Sequence, residues 1–276
     1  MLLNGLMSER KIALSRKIMF FDIDGTLIPE IPGVGVPKST LKALSLARRA
    51  GNLLFINTGR PACNVDDDIR SLDFDGYVCG CGTDIYCGGR EIFYRTVDKP
   101  LCLSVVRLLR ECDAVPMFER RDGVFFDPAA RQVPMIQAVR KSFADQGKNV
   151  DRTVGDVDFS FDKFIICYDG KSDTARLRAE LEKEFFWIHR GEGFAEIVPR
   201  GCSKATGIEA VLSFCGLDKN DAYAVGDSLN DLPMFSAAGT SIAMGNGLPL
   251  IPYADHVTDD IMQDGIYNAM EHFGFF

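Results

Sequence analysis

The sequence predicts an α/β fold, with a parallel sheet covered by helices on both faces and a smaller α+β domain inserted into it. Two observations favour this class. Short apolar runs that end in polar turns alternate with amphipathic helical stretches, which is the order of parallel β-α-β units. Over residues 83–195 the pattern changes to paired short strands around glycine-rich turns, which is typical of an antiparallel sheet. We therefore expect a core of residues 17–82 and 196–276, an inserted cap of residues 83–195 and a leader of residues 1–16.

The core elements follow from local patterns. Ile18–Phe21 is an apolar run and predicts the first buried strand. Pro37 suits the first turn of a helix, and Gly51 suits its end. Leu53–Ile56 and Gly76–Cys79 predict the second and third strands. These strands alternate with helical stretches and are therefore expected to be parallel.

The inserted segment has its own set of elements. Predicted strands are Asp84–Tyr86, Arg90–Arg95, Val115–Phe118, Val124–Phe126, Phe161–Tyr168, Trp187–Arg190 and Phe194–Val198. Predicted helices are Leu101–Glu111, Met135–Phe143 and Ser172–Phe186. The first two strands form a hairpin around adjacent glycines, so we assign them to the antiparallel sheet of the cap.

The parallel pattern then returns. Ser203 is a good N-cap for a helix over Lys204–Phe214. Ala222–Val225 predicts another buried strand, followed by a shorter one at Ser241–Met244 and a closing helix at Gly265–His272. The last part of the chain is thus expected to complete the sheet begun by the first.

Composition narrows the classes of function. With 276 residues and 46% hydrophobic content, the chain can build a full core. The net charge of -8 and the lack of a long Lys/Arg block argue against nucleic-acid binding, although local cations can still hold a small anion. Nine cysteines, an odd number, favour reduced thiols and a cytoplasmic location. No apolar stretch is long enough to indicate a signal peptide or membrane span, and nothing indicates an obligate protein partner.

Two acids follow the first strand. Asp22 and Asp24 are one residue apart, and Gly25 allows a tight turn after them. Close carboxylates repel each other unless a cation lies between them or one takes a proton. The pattern predicts a Mg²⁺ site in which Asp22 can also attack a phosphoryl group. An ordinary acidic turn is the alternative.

Polar residues also follow the second strand and begin the third core helix. Thr58, Gly59 and Arg60 could hold phosphoryl oxygens at a helix start. Thr58 could instead be an N-cap, and Arg60 could pair with Asp66–Asp68 or neutralise a second substrate charge. Lys204 lies in a first helical turn, where a cation opposes the helix dipole, so it could neutralise a phosphoryl group. A solvated surface lysine is the alternative.

The fourth element is the turn from Gly226 to Asp231. Asp227 could complete an oxygen ligand set for the metal, and Asp231 could hold Lys204 or a water ligand of the metal. An acidic turn that complements the helix dipole is the alternative. All four elements are expected at one edge of the sheet, because each lies at the carboxyl end of a strand or at a helix start.

The motifs FDIDGT, NTGR, GCSKATGIEAV and GDSLND together resemble the four motifs of the haloacid dehalogenase-like superfamily of phosphohydrolases. The insertion between the second and third motifs, AMGNG and the later Asp264-Gly265 resemble its Cof-type branch. The resemblance covers the chain from about Lys17 to Phe273. Cys81-Gly82 departs from it, because the family usually has Asn-Gly there.

The resemblance implies a Rossmann-like core with a cap, and a Mg²⁺-dependent phosphatase that forms an aspartyl-phosphate. Asp22 would be the nucleophile and a metal ligand, and Asp227 the second side-chain ligand. Asp24 would be the general acid/base and would give its backbone carbonyl to the metal. Thr58 and Gly59 would bind the phosphoryl group, and Lys204 would stabilise both that group and Asp22. Asn230 and Asp231 would support the substrate, Lys204 or a water bound to the metal.

The substrate is expected to be a small phosphorylated metabolite, such as a sugar phosphate. Cap residues that could face it are Glu119, Arg121, Lys163, His189 and Arg190. Three other interpretations stay open: a phosphohexose mutase, a phosphate-binding module without turnover, and a zinc site at Cys79, Cys81 and Cys87.

Overall fold

The computed structural model describes residues 16–276. The predicted leader therefore lies outside the described residues, apart from Arg16. No helix in the described part of the chain is long and apolar enough to cross a membrane.

The strands are β1 (Ile18–Phe21), β2 (Leu53–Asn57), β3 (Gly76–Cys79), β4 (Asp84–Cys87), β5 (Arg90–Tyr94), β6 (Val115–Arg120), β7 (Gly123–Phe126), β8 (Lys163–Cys167), β9 (Phe185–Gly191), β10 (Phe194–Pro199), β11 (Ala222–Gly226), β12 (Thr240–Ala243) and β13 (His256–Val257). The α-helices are α1 (Lys38–Arg49), α2 (Asp67–Arg70), α3 (Lys99–Glu111), α4 (Pro134–Asp145), α5 (Thr174–Leu181), α6 (Lys204–Cys215), α7 (Leu232–Ala237) and α8 (Gly265–His272).

The larger sheet has eight strands in the order β13-β12-β11-β1-β2-β3-β4-β5. The strands from β13 to β3 are parallel, whereas β4 and β5 continue the sheet as an antiparallel hairpin. The assignment of this hairpin to the cap sheet is thus wrong. The chain reverses directly after β3 through Gly80 and Gly82, which both have positive φ, so β4 pairs with its sequence neighbour.

Helices cover both faces of this sheet, as predicted for an α/β fold. On β1, Met19 and Phe21 pack with α1 and α8, whereas Ile18 and Phe20 pack with α6 and α7. Alternate side chains of a strand point to opposite faces, and burial of both sets explains why the run is continuously apolar. Because β11, β1 and β2 are parallel neighbours in the sheet, their carboxyl ends lie side by side.

The second sheet is antiparallel, with five strands in the order β7-β6-β8-β10-β9. One face packs on α3 and α5 through a phenylalanine cluster that includes Phe118, Phe161 and Phe164. The opposite face is partly covered by α4. Because β10 belongs to this sheet, Glu196 does too, although we expected the core to resume there. Neither predicted boundary, at residue 83 or 195, coincides with the change from one sheet to the other, and the assignment of the cap as a separate domain stays a prediction.

The helix predicted over Ser172–Phe186 is shorter in the structure. It starts after Asp173, whose side chain accepts a hydrogen bond from the Arg176 N–H, and it ends at Leu181. Phe185 is buried and belongs to β9, where it pairs with Pro199. Pairing with a distant strand has overridden the helical pattern here.

Candidate active site

The first motif forms a tight turn at the end of β1. The Asp22 N–H donates to the Val225 carbonyl at 3.1 Å, which continues the pairing with β11 past the end of the strand. Gly25 has φ +77°, and a Cβ at this position would lie 2.2 Å from Asp227 Oδ2. The turn therefore requires glycine, both for its backbone conformation and to bring the Asp227 carboxylate close.

Lys204 is buried and joins two acids. Its Nζ donates to Asp22 Oδ1 at 2.7 Å and to Asp231 Oδ1 at 2.5 Å, and its side chain is 1% exposed. Asn57 Nδ2 donates to the Lys204 carbonyl at 2.9 Å and ties the start of α6 to the end of β2. Because the side chain is buried, the alternative of a solvated surface lysine is excluded. A buried ammonium needs charged partners of this kind.

Asp231 is fully buried and supports the site from behind. Its Oδ2 accepts hydrogen bonds from the N–H groups of Asp227 at 3.1 Å and Ser228 at 3.2 Å. A Cβ on Gly226 would lie 2.4 Å from the same oxygen, so glycine is needed for this approach. With Lys204 on the other oxygen, both oxygens of Asp231 have protein partners.

Three carboxylates at this edge could hold a metal ion. Asp22, Asp227 and Asp231 each place an oxygen within 4.8 Å of the others, and they are the one such group found in residues 16–276. Asp22 and Asp227 have oxygens to spare, whereas those of Asp231 are engaged. Carboxylate oxygens are the ligands that hard divalent cations such as Mg²⁺ prefer, so this donor set fits Mg²⁺.

The ionisation of the two candidate ligands is consistent with a cation at this position. Burial raises the pKa of Asp22 to about 7, although nearby Lys204 opposes the rise. Burial, together with the charge of Asp231, raises the pKa of Asp227 to about 7. A divalent cation would favour the charged form of both carboxylates.

Asp24 is held apart from that cluster. Arg60 makes a two-pronged contact with it, from Nε to Oδ2 at 2.9 Å and from Nη2 to Oδ1 at 2.5 Å. Arg60 Nη1 also donates to Asp66 Oδ2 at 2.8 Å, so the expected pairing with Asp66–Asp68 is formed through the first of these acids. The Asp24 side chain is 46% exposed and lines the cavity described below.

Thr58 and Gly59 form the turn after β2. Thr58 is buried, and its Oγ1 accepts a hydrogen bond from the Arg60 N–H at 3.1 Å within the turn, but the next helical turn begins at Ala62 after Pro61, so Thr58 is not an N-cap. Both residues also line the cavity. The alternative that Thr58 is a helix N-cap is therefore wrong, and phosphoryl binding by Thr58 stays a prediction. Asn230 lines the same cavity, and its Oδ1 accepts a hydrogen bond from Ser228 Oγ.

A cavity of about 780 Å³ lies between these turns and the second sheet. Of the five cap residues predicted to face a substrate, four line it: Glu119, Lys163, His189 and Arg190. Arg121 does not line it and binds Asp84 and Glu91 instead. A buried carboxylate that borders the cavity, Glu196, was missed by sequence reasoning, as were Asn57 and Asn246.

Asn246 had a signal in the sequence, since it lies in the AMGNG turn. Its Nδ2 donates to the Gly25 carbonyl at 2.7 Å, and its Oδ1 accepts from the Ile261 N–H at 3.1 Å, so it fixes the first motif. Glu196 had no such signal, because it lies inside a strand pattern.

The cysteines proposed as zinc ligands do not form a ligand group. Cys81 Sγ donates to Glu196 Oε1 at 3.4 Å, and Cys87 Sγ lies 3.8 Å from Cys215 Sγ. All nine cysteines of the chain are free thiols.

Comparison with known proteins agrees with these features. YkrA of Bacillus subtilis (strain 168), which is named as a phosphatase, is 29% identical over 95% of this chain and 99% of its own length. The HMP-PP phosphatase of Klebsiella pneumoniae (strain 342) is 26% identical over 93% of this chain and 94% of its own length.

Solved structures agree as well. The subclass IIB sugar phosphatase BT4131 shares 26% identity with a TM-score of 0.79, and the alignment covers 94% of this chain and 100% of that one. BT1666 of Bacteroides thetaiotaomicron shares 25% identity with a TM-score of 0.81, and the alignment covers 99% and 100% of the two chains. The family model for haloacid dehalogenase-like hydrolases matches residues 19–270. The chain, with its four motifs gathered at one sheet edge, therefore belongs to the haloacid dehalogenase-like hydrolases.

Proposed function

We propose that the protein is a Mg²⁺-dependent phosphatase that hydrolyses a small phosphate monoester through an aspartyl-phosphate on Asp22. That it is a phosphoric monoester hydrolase follows from its family and relatives. The metal, the intermediate and the substrate are the proposed part. The observation that carries the proposal is the contact of Lys204 Nζ with Asp22 Oδ1 at 2.7 Å, beside Asp227, at the floor of a cavity.

The metal would be held by the carboxylates of Asp22 and Asp227 and by the backbone carbonyl of Asp24. A Mg²⁺ ion held there would supply positive charge that offsets the negative charge of the nucleophile and of the phosphoryl group. The Lys204 ammonium, the Thr58 hydroxyl and the Gly59 N–H would hold the phosphoryl oxygens, where negative charge accumulates, whereas the Thr58 N–H is engaged by the Val78 carbonyl.

Asp24 would act as general acid and then as general base. It would give a proton to the leaving alcohol and later accept one from the water that cleaves the acyl-phosphate. Its two-pronged contact with Arg60 fixes the carboxylate at the cavity wall.

The leaving group would be the alcohol of a small metabolite. The cavity is bounded by the second sheet, which contributes charged side chains, and by α4, which contributes Ser142 and two apolar residues, so it suits a compact ligand with polar groups. The relatives named for HMP-PP and for sugar phosphates support this size and class. We therefore propose a hydroxyl-bearing phosphate monoester as the substrate, in the cytoplasm.

The test is phosphate release from a panel of phosphate esters with Mg²⁺ and with chelator. The panel comprises sugar phosphates, nucleotides, flavin mononucleotide, pyridoxal phosphate and p-nitrophenyl phosphate. We expect Mg²⁺-dependent release, loss of turnover in Asp22→Asn with the fold intact, and retained turnover in the control Asp151→Asn, whose side chain is 91% exposed.

The outcomes separate the remaining candidates. Release without a sugar bisphosphate activator counts against a phosphohexose mutase, which would return the group to the sugar. A folded protein that binds Mg²⁺ but releases phosphate from no ester would instead favour a binding module. Substantial turnover by metal-loaded Asp22→Asn would overturn the role of Asp22 as nucleophile.

A further inference from the structure

Three charged side chains form a buried cluster on the cavity face of the second sheet. They are Glu119 on β6, Lys163 on β8 and Glu196 on β10, three adjacent strands, and they are 6%, 2% and 5% exposed. Lys163 Nζ lies 2.6 Å from Glu196 Oε1 and forms an ion pair with Glu119 Oε2. All three side chains line the same cavity as Asp22.

The cluster borders the turn proposed to bind the phosphoryl group. A Cβ built on Gly59 would lie 3.0 Å from Glu196 Oε1, and the Cys81 thiol donates to that oxygen at 3.4 Å. A ligand whose phosphoryl group lies at the Thr58–Gly59 turn would therefore place the first atoms of its alcohol beside Glu196.

The rest of this face is apolar. Met117, Ile165 and Phe194 lie two residues from the cluster members along the same three strands, so they share its face. Val139 and Phe143 of α4 complete this wall of the cavity. The cavity thus has a charged region next to the phosphoryl turn and an apolar region beyond it.

The cluster has hydrogen-bonding capacity that its own members do not use. The two carboxylates share one ammonium through Glu119 Oε2 and Glu196 Oε1, and within residues 16–276 the polar contacts of these carboxylates come from Lys163 and the Cys81 thiol, which leaves Glu119 Oε1 and Glu196 Oε2 for a ligand. A buried ion cluster is a poor way to stabilise a fold, since apolar residues of similar volume often do as well or better. Acceptors at a cavity wall can instead bind hydroxyl hydrogens of a ligand.

We propose that Glu119, Lys163 and Glu196 select the leaving group: they bind hydroxyl groups near the ester carbon, while Met117, Ile165 and Phe194 contact a less polar part further away. The carboxylates accept from these hydroxyls and the ammonium donates to them. This inference rests on the proposed phosphatase function and adds a specificity-determining site to it.

The test compares matched substrates in matched variants. For pairs such as glucose 6-phosphate and 4-deoxyglucose 6-phosphate, or ribose 5-phosphate and its 3-deoxy analogue, the ratio of kcat/KM measures recognition of the hydroxyl nearest the ester carbon. We expect at least one pair with a ratio of about 10 or more in the wild type, since a buried unpaired acceptor costs about 1–3 kcal/mol. In Glu119→Gln that ratio should fall towards 1.

The control is Glu111→Gln, an exposed cap residue that pairs with Arg176, and it should keep the wild-type ratio. If Glu119→Gln does not fold, Glu119→Asp keeps the charge next to Lys163 and serves the same comparison. A ratio near 1 for every pair in the wild type, or an unchanged ratio in the variant, overturns the inference. Either result leaves the phosphatase proposal intact provided that p-nitrophenyl phosphate is hydrolysed; if no ester is hydrolysed, the proposed function itself fails.

Discussion

Lys204 makes two contacts in the candidate active site, one with each of two carboxylates. The ammonium is buried with Asp22 and Asp231, and each carboxylate lies within hydrogen-bond distance of Nζ. Burial lowers the pKa of Lys204, but the two acids more than compensate, so its pKa is raised and the lysine stays charged. The three groups act as one electrostatic unit.

We expect Lys204→Met to lose turnover and to lower the free energy of unfolding by about 3–5 kcal/mol, because it leaves two buried acids without a counter-charge. Urea denaturation measures the second effect. The double variant Lys204→Met/Asp231→Asn removes one of the unpaired charges and should recover part of the lost stability without restoring turnover. Equal stability of the single and double variants would show that the acids do not depend on this ammonium.

For single residues, the sequence predicted the candidate catalytic side chains well but not the side chains that surround them. Asp22, Lys204 and Asp227 follow apolar runs or begin a helix, so chain order alone places them at one sheet edge, and the structure brings them together. Their roles stay predictions. Glu196 could not be identified, since its burial depends on Lys163, a partner from another strand 33 residues away.

At the scale of elements, the turn after β12 fits closely against the turn after β11. A Cβ on Gly247 would lie 2.6 Å from the Asp227 Cα, so the two backbones approach in a way that only glycine allows. This contact fixes the position of Asp227, a proposed Mg²⁺ ligand, from a segment that contributes no ligand itself.

Gly247→Ala should therefore weaken Mg²⁺ binding by about tenfold and cost about 1–3 kcal/mol of stability, because the added methyl group displaces the Asp227 backbone. Isothermal titration with Mg²⁺ measures the first effect and denaturant unfolding the second. Gly35→Ala is the control, as a Cβ there meets no atom within 4 Å and should change neither quantity. Unchanged Mg²⁺ affinity in Gly247→Ala would contradict this account of the turn.

Elements with a clear local sequence pattern were predicted closely. Errors arose where the pairing between strands determines which sheet a segment joins. β3 has the bounds predicted for it, and α6 extends one residue beyond its predicted end, because its cap residue and its buried stripe are local features. Membership of a sheet is not local: the hairpin β4–β5 has the pattern of an antiparallel unit, and nothing in its residues shows which of two sheets it extends.

For the molecule as a whole, the effect of Mg²⁺ on stability should depend on pH. Asp22 and Asp227 have pKa values raised from 3.8 to about 7 by burial. A raised carboxyl pKa stabilises the folded state at a pH below the unfolded value, and that stability is lost as pH rises through the folded value. In metal-free protein, the contribution of these two groups to the free energy of unfolding should therefore fall as the pH rises from about 4 to about 7.

Mg²⁺ competes with protons for the same oxygens, so the rise in Tm caused by Mg²⁺ should be larger at pH 8 than at pH 5.5. Thermal unfolding with Mg²⁺ and with chelator, at several pH values, measures this difference. The variant Asp227→Asn should lose most of it. A Tm shift that does not vary with pH would show that the metal binds elsewhere.

The contact between Asp22 and Lys204 also has a consequence for biosynthesis. It joins residues 182 positions apart, and the whole second sheet lies between them in the chain. Contacts of such long range form late, because much of the chain must be ordered first. A growing chain on the ribosome carries Asp22, the proposed nucleophile, long before it gains Lys204 and Asp227. Fragments released early should thus be inert towards the metabolites of the cell.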